Sequence, residues 1–206
     1  MTSYRHTARR AAIAAAVTTA ALTLAACGGA NGSPSSAASA SASASAPAPA
    51  AGSAHNAADV SFAQGMIPHH RQAVEMADLA ATRASSPEVK KLAAEIKKAQ
   101  DPEIKTLSGW LTSWDAQVPT QGSMDHSGHS MPGMMADDDM STLEKASGPA
   151  FDTAFLKLMV KHHEGAVEMA RTEKSAGADQ SAKDMADAII TSQSAEITRM
   201  NTLLDK

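Results

Sequence analysis

The chain has 206 residues and a formal net charge of −4, and only 3% of its residues are aromatic. An acidic, aromatic-poor surface disfavours nucleic acid as a partner, because phosphate binding requires basic patches. The single cysteine, Cys27, excludes a disulfide framework and a metal site built from several thiolates. The chemistry of this chain therefore has to come from histidine, methionine and carboxylate side chains.

Residues 1–26 have the features of an export signal. Three arginines precede an apolar stretch of about 14 residues, which is too short to span a bilayer comfortably. LAAC then ends at Cys27, and this arrangement resembles the lipobox of bacterial lipoproteins, in which the cysteine carries lipid and begins the mature chain. We predict a lipoprotein signal peptide and an exported protein that Cys27 anchors to the lipid bilayer, on the outer face of a bacterial cell membrane or on its periplasmic side. The alternative is an ordinary secretory signal with an unmodified cysteine.

Residues 27–58 consist largely of Ala, Ser, Gly and Pro and are predicted to be a disordered, flexible tether. The remaining residues, 59–206, are long enough for one modest core. They contain an internal repeat, since MIPHHRQAVEMA at residues 66–77 returns as MVKHHEGAVEMA at residues 159–170, 93 positions later. We assign repeat one to residues 59–115, the connecting crossover to residues 116–149 and repeat two to residues 150–206.

Each repeat is predicted to be a helical hairpin, because its apolar residues recur at spacings of three and four. Asp59 and Asp152 are placed to cap the first helix of each hairpin, and Ser86 with Pro87 marks the start of the second helix. Pro102 predicts a kink or a restart of that second helix at Asp101, whereas the fourth helix has Ala195 at the matching position.

The long crossover favours a parallel arrangement of the two helices that it joins, the second helix of repeat one and the first helix of repeat two. A short loop would make these two helices antiparallel. The predicted fold is therefore all-α. It is a ferritin-like four-helix bundle built from two repeated hairpins, with Phe62 and Phe155 in its core and a long crossover loop.

The repeats resemble the family of the domain of unknown function 305. The shared pattern, D-x-x-F-x-x-x-M-x-x-H-H-x-x-A-V-x-M-A, stands here as DVSFAQGMIPHHRQAVEMA and within FDTAFLKLMVKHHEGAVEMA, and Q-x-x-E-I stands as QDPEI and QSAEI. The resemblance covers nearly all of residues 59–206. It implies a ferritin-like, secreted protein that handles copper outside the cytoplasm.

The residues themselves indicate a soft metal. A di-iron bundle needs Glu-x-x-His pairs, but the residues three before His69 and His162 are Met66 and Met159. Thioethers favour Cu(I) or Ag(I), and imidazole also accepts Cu(II). The candidate ligands in the bundle are His69, His70, His162, His163, Met66, Met76, Met159 and Met169. Candidate hydrogen-bond partners behind those ligands are Gln100, Glu103, Gln193, Glu196, Asp59 and Asp152.

The crossover adds a second set of soft donors in MDHSGHSMPGMMADDDM. Methionine gains nothing from exposure in a loop, so its interleaving with histidine indicates metal capture. The candidate ligands there are Met124, His126, His129, Met131, Met134 and Met135, and no ligand role is assigned to Asp137–Asp139. The alternative is a low-complexity linker with chance methionines.

Three functions remain open. The leading hypothesis is a lipid-anchored protein that binds copper ions, or silver, as cargo for sequestration, buffering or transfer to an unknown transport or chaperone partner. The second is a ferritin-like metal oxidase, which the missing Glu-x-x-His pairs and the absence of a nucleophile–base arrangement disfavour. The third is a structural bundle in which the histidines only hydrogen-bond between helices. We expect no enzymatic activity.

Overall fold

The computed structural model describes residues 55–120 and 131–206, so Cys27, the predicted signal and most of the predicted tether lie outside the described residues. Those residues form five helices and no strand, which confirms the all-α prediction. The helices are α1 (Ala57–Arg83), α2 (Pro87–Ser113), α3 (Asp137–Lys145), α4 (Gly148–Ala176) and α5 (Gln180–Leu204). No helix in this part of the chain has the length and apolar character needed to cross a bilayer.

Short connections make each hairpin antiparallel, with three residues between α1 and α2 and three between α4 and α5. The two hairpins also run antiparallel to each other along α1 and α4. At one end the Asn56 side chain donates to the Ala176 carbonyl at 2.8 Å, and at the other end Arg83 donates to the Ala146 carbonyl at 3.5 Å. Helices α2 and α4 are therefore parallel, as predicted for a ferritin-like bundle with a long crossover.

Two apolar clusters fill the bundle, one toward each end. The first contains Met76, Phe155 and Met159 together with Leu92 and Ile96 of α2. The second contains Phe62 and Met66 with Leu107 of α2 and Ile189 of α5. Both predicted core phenylalanines are buried, one in each cluster. Between the two clusters, each of the four long helices carries at least one buried polar residue in place of an apolar one.

Three local expectations need correction. The crossover is not a loop throughout, because residues 137–145 form α3 and bury Leu143 against the first cluster. Of the two effects predicted for Pro102, a restart of α2 at Asp101 is wrong, because the helix continues through Pro102 to Ser113. Helix α4 begins at Gly148, so Asp152 lies inside the helix and is not its cap.

Asp59 and Asp152 each join one hairpin to the other. Asp59 does contribute to the start of α1, where Asn56 is the N-cap and its backbone N–H donates to Asp59 at 2.5 Å. The same carboxylate also accepts from the backbone N–H groups of Ala178 and Asp179, at the start of α5. In the matching way, Asp152 accepts from the backbone N–H groups of Ser85 and Ser86 at the start of α2.

Candidate metal centre

Eight polar side chains form one layer across the middle of the bundle, which we call the polar layer. Each long helix supplies two of them, four histidines from α1 and α4 and two Gln/Glu pairs from α2 and α5. The members are His69, His70, Gln100, Glu103, His162, His163, Gln193 and Glu196. The 93-residue repeat explains the pairing, because every member has a counterpart at that offset. The antiparallel contact of α1 with α4 brings the two histidine pairs to the same level.

His70 and His163 occupy matching outer positions in the polar layer. His70 Nε2 lies 2.7 Å from a carboxylate oxygen of Glu103, and His163 Nε2 lies 2.6 Å from one of Glu196. In both histidines Nδ1 is buried without a hydrogen-bond partner. A carboxylate that holds one ring nitrogen while the other stays free is the usual environment of a metal-binding histidine. The predicted role of Glu103 and Glu196 as partners of ring N–H groups therefore agrees with the geometry.

His69 and His162 face each other at the centre of the layer. Their ring centroids are 3.8 Å apart and the rings are tilted by 45°. His69 Nε2 lies 3.1 Å from the Pro132 carbonyl oxygen. Because a carbonyl only accepts, this nitrogen carries the proton and the buried Nδ1 of His69 is left as an unpartnered lone pair. Neither ring nitrogen of His162 has a partner.

The environment keeps the central histidines neutral. Burial lowers the pKa of His69 to about 3, and a charge on neighbouring His70 would lower it further, although the hydrogen bond to Pro132 opposes the shift. Burial also lowers the pKa of His162 well below its ordinary value, with the His69 charge as the next cause. Neutral imidazole is the form that binds a metal ion. At neutral pH both rings therefore offer lone pairs rather than positive charges.

Unpartnered polar atoms are concentrated in the polar layer. Buried polar groups without partners cost free energy and are uncommon in folded proteins. Here they include Nδ1 of all four histidines, His162 Nε2 and the side-chain oxygens of Gln100 and Gln193. An ion that accepts several of these lone pairs would satisfy them together, so the donor set fits a metal. Within residues 55–120 and 131–206, however, no three His, Cys, Asp or Glu side chains stand in a ready coordination arrangement. Binding therefore requires side-chain rotation or a methionine ligand.

The structure separates the predicted methionine ligands. Met66 belongs to the second apolar cluster, and Met76 and Met159 belong to the first, with all three side chains fully buried. Met135 is also a buried member of the first cluster, so it packs in the core rather than standing in a solvated loop. The other predicted methionine ligands among the described residues, Met131, Met134 and Met169, are partly exposed. Met124, His126 and His129 lie outside the described residues.

The other predicted partners divide into two groups. Gln100 and Gln193 lie in the polar layer and are buried. Asp59 and Asp152 lie near the ends of the bundle, where backbone N–H groups occupy their carboxylates. Each aspartate lies ten residues before the first histidine of its repeat. The two aspartates therefore join one hairpin to the other and do not contact the histidine rings.

Sequence reasoning missed the contribution of the main chain to this site. The carbonyl of Pro132 determines which nitrogen of His69 is protonated, and no residue-type pattern identifies a carbonyl acceptor. A partial signal was present in the segment Met131-Pro132-Gly133-Met134. Pro followed by Gly is typical of a type II turn, and Gly133 has φ +77° with a Met134 N–H to Met131 carbonyl hydrogen bond of 3.2 Å.

A sequence profile of the family described as "Domain of unknown function (DUF305)" matches residues 59–204. The chain belongs to the DUF305 family. Among solved structures, this DUF305 protein is similar to one from Streptomyces coelicolor described as a secreted protein. The two are 35% identical, with 72% of this chain and 92% of that chain covered and a TM-score of 0.65. A DUF305 fragment from Deinococcus radiodurans is 27% identical, with 73% and 97% covered and a TM-score of 0.65.

This DUF305 protein is also similar to CopM in its Cu(II)-bound form. The two are 38% identical over 71% of this chain and 95% of that chain, with a TM-score of 0.63. CopM has further structures in Cu(I)-bound, silver-bound and apo forms. No curated protein matches the chain.

Proposed function

We propose that this protein binds copper ions, and silver as a chemical analogue, in the polar layer of its bundle. The observation that carries the proposal is the set of four buried histidines whose Nδ1 atoms have no partner, two of which are held from behind by Glu103 and Glu196. Imidazole suits copper in both oxidation states, and the thioethers of Met66 and Met159, three residues before His69 and His162, would favour Cu(I) if they joined the site. The copper-bound and silver-bound forms of CopM support the same choice of metal.

The proposed location is outside the cytoplasm, with Cys27 carrying the lipid that holds the protein at the bilayer. The signal-like residues 1–26 and the secreted description of the S. coelicolor relative support export. In this setting copper is cargo, and the protein sequesters it, buffers it or transfers it. The crossover residues Met124, His126 and His129 add soft donors that capture ions before they reach the bundle.

Two other functions predict different chemistry. A metal oxidase would consume oxygen as it converted Cu(I) to Cu(II), whereas a binding protein would slow that conversion by holding Cu(I). A purely structural bundle would have a copper affinity no higher than that of an ordinary exposed histidine. The unpartnered nitrogens favour binding over the structural role, since helix-to-helix hydrogen bonds would leave them satisfied.

An anaerobic Cu(I) titration of the chain from residue 27 onward, against a chromophoric chelator, tests the proposal. Alanine at His69, His70, His162 and His163 should abolish the tightest site, while the apo protein stays helical because no salt bridge that joins the hairpins is removed. The control is His55→Ala, which removes a histidine that stacks on Trp114 outside the polar layer. A third variant with serine at Met124, His126 and His129 should lower only the number of weaker ions. An unchanged tight site in the four-histidine variant would refute the proposal. In a separate assay in air, oxygen consumption with Cu(I) that depends on the four histidines would favour the oxidase.

A further inference from the structure

Residues 131–135, which we call the strap, cross the outside of α1 and α4 at the level of the central histidines. The turn at Pro132 and Gly133 meets α4, where a Cβ on Gly133 would lie 2.8 Å from the carbonyl oxygens of Lys161 and His162. On α1, a Cβ at Gly65 would lie 3.5 Å from Met131 Sδ. The strap is thus seated on both helices, and it closes one side of the His69–His162 pair.

Gln72 holds the end of the strap to α1. Its side-chain N–H donates to the Met135 carbonyl at 3.0 Å, and its side-chain oxygen accepts from the Met135 backbone N–H at 2.7 Å. Both bonds are buried, and Gln72 is 3% exposed. Such a two-point amide contact fixes both the position and the direction of the backbone it binds.

Gly165 provides the seat on α4. A Cβ at residue 165 would overlap the Pro132 carbonyl group and the Gly133 Cα. Glycine in a helix interior costs roughly 1 kcal/mol relative to alanine, so this position gives up helix stability to let the strap approach.

The two seats are the same position in the two repeats. Gln72 matches Gly165 at the 93-residue offset, and Gly65 matches Leu158. The repeats therefore differ where a single strap has to lie across two equivalent helices. Gln72 hydrogen-bonds the strap at this position of repeat one. Gly165, at the same position of repeat two, has no Cβ and so lets the strap approach α4.

The seating has a chemical consequence for one histidine only. In a type II turn the carbonyl of the proline position points away from the turn, and here the Pro132 carbonyl accepts the Nε2–H of His69. His162 has no equivalent partner among the described residues. The central pair is consequently unequal, because the Pro132 carbonyl holds the proton of His69 on Nε2 while neither ring nitrogen of His162 makes a hydrogen bond of this kind.

We propose that Gln72 and Gly165 are positioning residues that seat the strap, so that the Pro132 carbonyl holds His69 in the Nε2–H tautomer and presents Nδ1 to the bound ion. The part about the ion rests on the proposed copper-binding function. The part about the tautomer does not, because it concerns the metal-free protein.

Two substitutions disturb the strap from opposite sides. Gly165→Ala places a methyl group against the Pro132 carbonyl, and Gln72→Leu removes the amide contacts with Met135 while it keeps much of the side-chain volume. The matched control is Gly109→Ala in α2, because a Cβ at residue 109 meets no atom within 4 Å. The control should leave the site unchanged and raise the stability of its helix, because alanine favours a helix more than glycine does.

Two measurements test the inference. Two-bond ¹H–¹⁵N correlation spectra of the metal-free protein report the tautomer of each histidine, and competition with a chelator reports Cu(I) affinity. We expect His69 to be Nε2–H in the parent and in Gly109→Ala, and to become a tautomer mixture in both strap variants. Cu(I) affinity should fall about 10- to 100-fold in the strap variants, the range for loss of a group that orients a ligand.

An unchanged His69 tautomer in both strap variants would overturn the inference, whatever happens to copper affinity. If Gly165→Ala fails to fold, as its circular dichroism would show, Gln72→Leu decides the question alone. If the parent binds no Cu(I), the proposed function fails, but the tautomer measurement still decides whether the strap positions His69.

Discussion

Glu173 is a buried carboxyl group that the first repeat lacks, because the matching residue there is Ala80. It faces Asp59, and burial, together with the Asp59 carboxylate, raises the pKa of Glu173 to about 8. Burial alone would raise the pKa of Asp59, but the neighbouring Glu173 side chain and the hydrogen bonds from backbone N–H groups of Asn56 and at the start of α5 lower it. This shift favours the protonated form of Glu173 at neutral pH. Asp179 and Lys183 of α5 also act on Glu173, the first raising and the second lowering its pKa.

This pair makes stability depend on pH. A carboxyl whose pKa is about 8 when folded, against an ordinary value of 4.5, binds a proton more tightly in the folded chain. Its contribution is therefore complete below about pH 4.5 and is lost as the pH rises toward 8 and above. We expect Glu173→Gln to make the protein more stable than the parent at pH 9, by roughly 1–3 kcal/mol, and to differ little at pH 5.

Urea unfolding at pH 5, 7 and 9 measures this effect. The control is Glu168→Gln, the same chemical change at an exposed position of the same helix. Equal pH dependence in the parent and in Glu173→Gln would show that Glu173 is already ionised in the folded protein at neutral pH.

At the residue scale, sequence reasoning found the side chains that the repeat duplicates. The recurring Q-x-x-E pattern identified Glu103 and Glu196 as candidate partners of ring N–H groups, and the structure shows that they contact His70 and His163. Glu173 and Gln72 were missed because each has a non-matching residue in the other repeat, Ala80 and Gly165. Their roles depend on what the neighbouring chain places against them, and residue spacing within one helix does not encode that.

Each hairpin is held at its turn by an aspartate of the other hairpin. Asp152 of α4 binds the backbone N–H groups of Ser85 and Ser86 and the Ser85 hydroxyl, and Asp59 of α1 binds the matching residues Ala178 and Asp179. These bonds satisfy donors at the beginnings of α2 and α5, which a helix cannot satisfy internally. The reciprocal contacts join the hairpins at both ends of α1 and α4.

We expect Asp152→Ala to lower the free energy of unfolding by about 2–3 kcal/mol, because it leaves two backbone donors and one hydroxyl without their charged acceptor. Asp138→Ala in the first turn of α3 is the control, since Asp138 is exposed and contributes at most about 1 kcal/mol through the helix dipole. Chemical denaturation followed at 222 nm compares the two. If Asp152→Ala lowered the free energy of unfolding by less than about 0.5 kcal/mol, its denaturation midpoint would be close to that of Asp138→Ala. Water would then replace the carboxylate without cost.

At the element scale, the long helices were predictable and their exceptions were not. Pro102 removes one backbone N–H, yet α2 continues because Leu107 and Leu111 beyond it remain buried on the same stripe. Burial of these leucines offsets the local cost of the proline. Helix α3 was missed because three consecutive aspartates are typical of a solvated run. They occupy its first turn, where negative charge stabilises a helix, and Leu143 anchors it.

For the whole molecule, the predicted membrane anchor is Cys27, and the predicted tether of residues 27–58 would join it to the bundle. We expect Cys27→Ser to move the protein from the membrane fraction to the soluble fraction, because the lipid is the predicted anchor and the apolar stretch before it is too short to span a bilayer. Fractionation and immunoblotting measure this, with Ser35→Ala in the predicted tether as the control. Retention of Cys27→Ser in the membrane fraction would indicate an uncleaved anchor within residues 11–24.

The overall arrangement was predictable because duplication restricts the choices. Two copies of one hairpin that carry the same polar residues at the same height can satisfy them together only by facing each other, which brings His69 opposite His162. The long crossover then allows α2 and α4 to be parallel. The path of the crossover itself was not predictable, because Met135 and the Pro132 carbonyl take positions that a methionine-rich, turn-rich segment does not specify.

The unequal seats of the strap also bear on why the two hairpins are joined in one chain. Two separate copies of a single hairpin, related by a twofold axis, would carry the same side chain at both seats. Such a dimer could have glutamine at both positions or glycine at both, but not the combination of Gln72 and Gly165 found here. Covalent fusion gives each half its own codon at that position. A pair of identical imidazoles can thereby become two ligands with different proton positions.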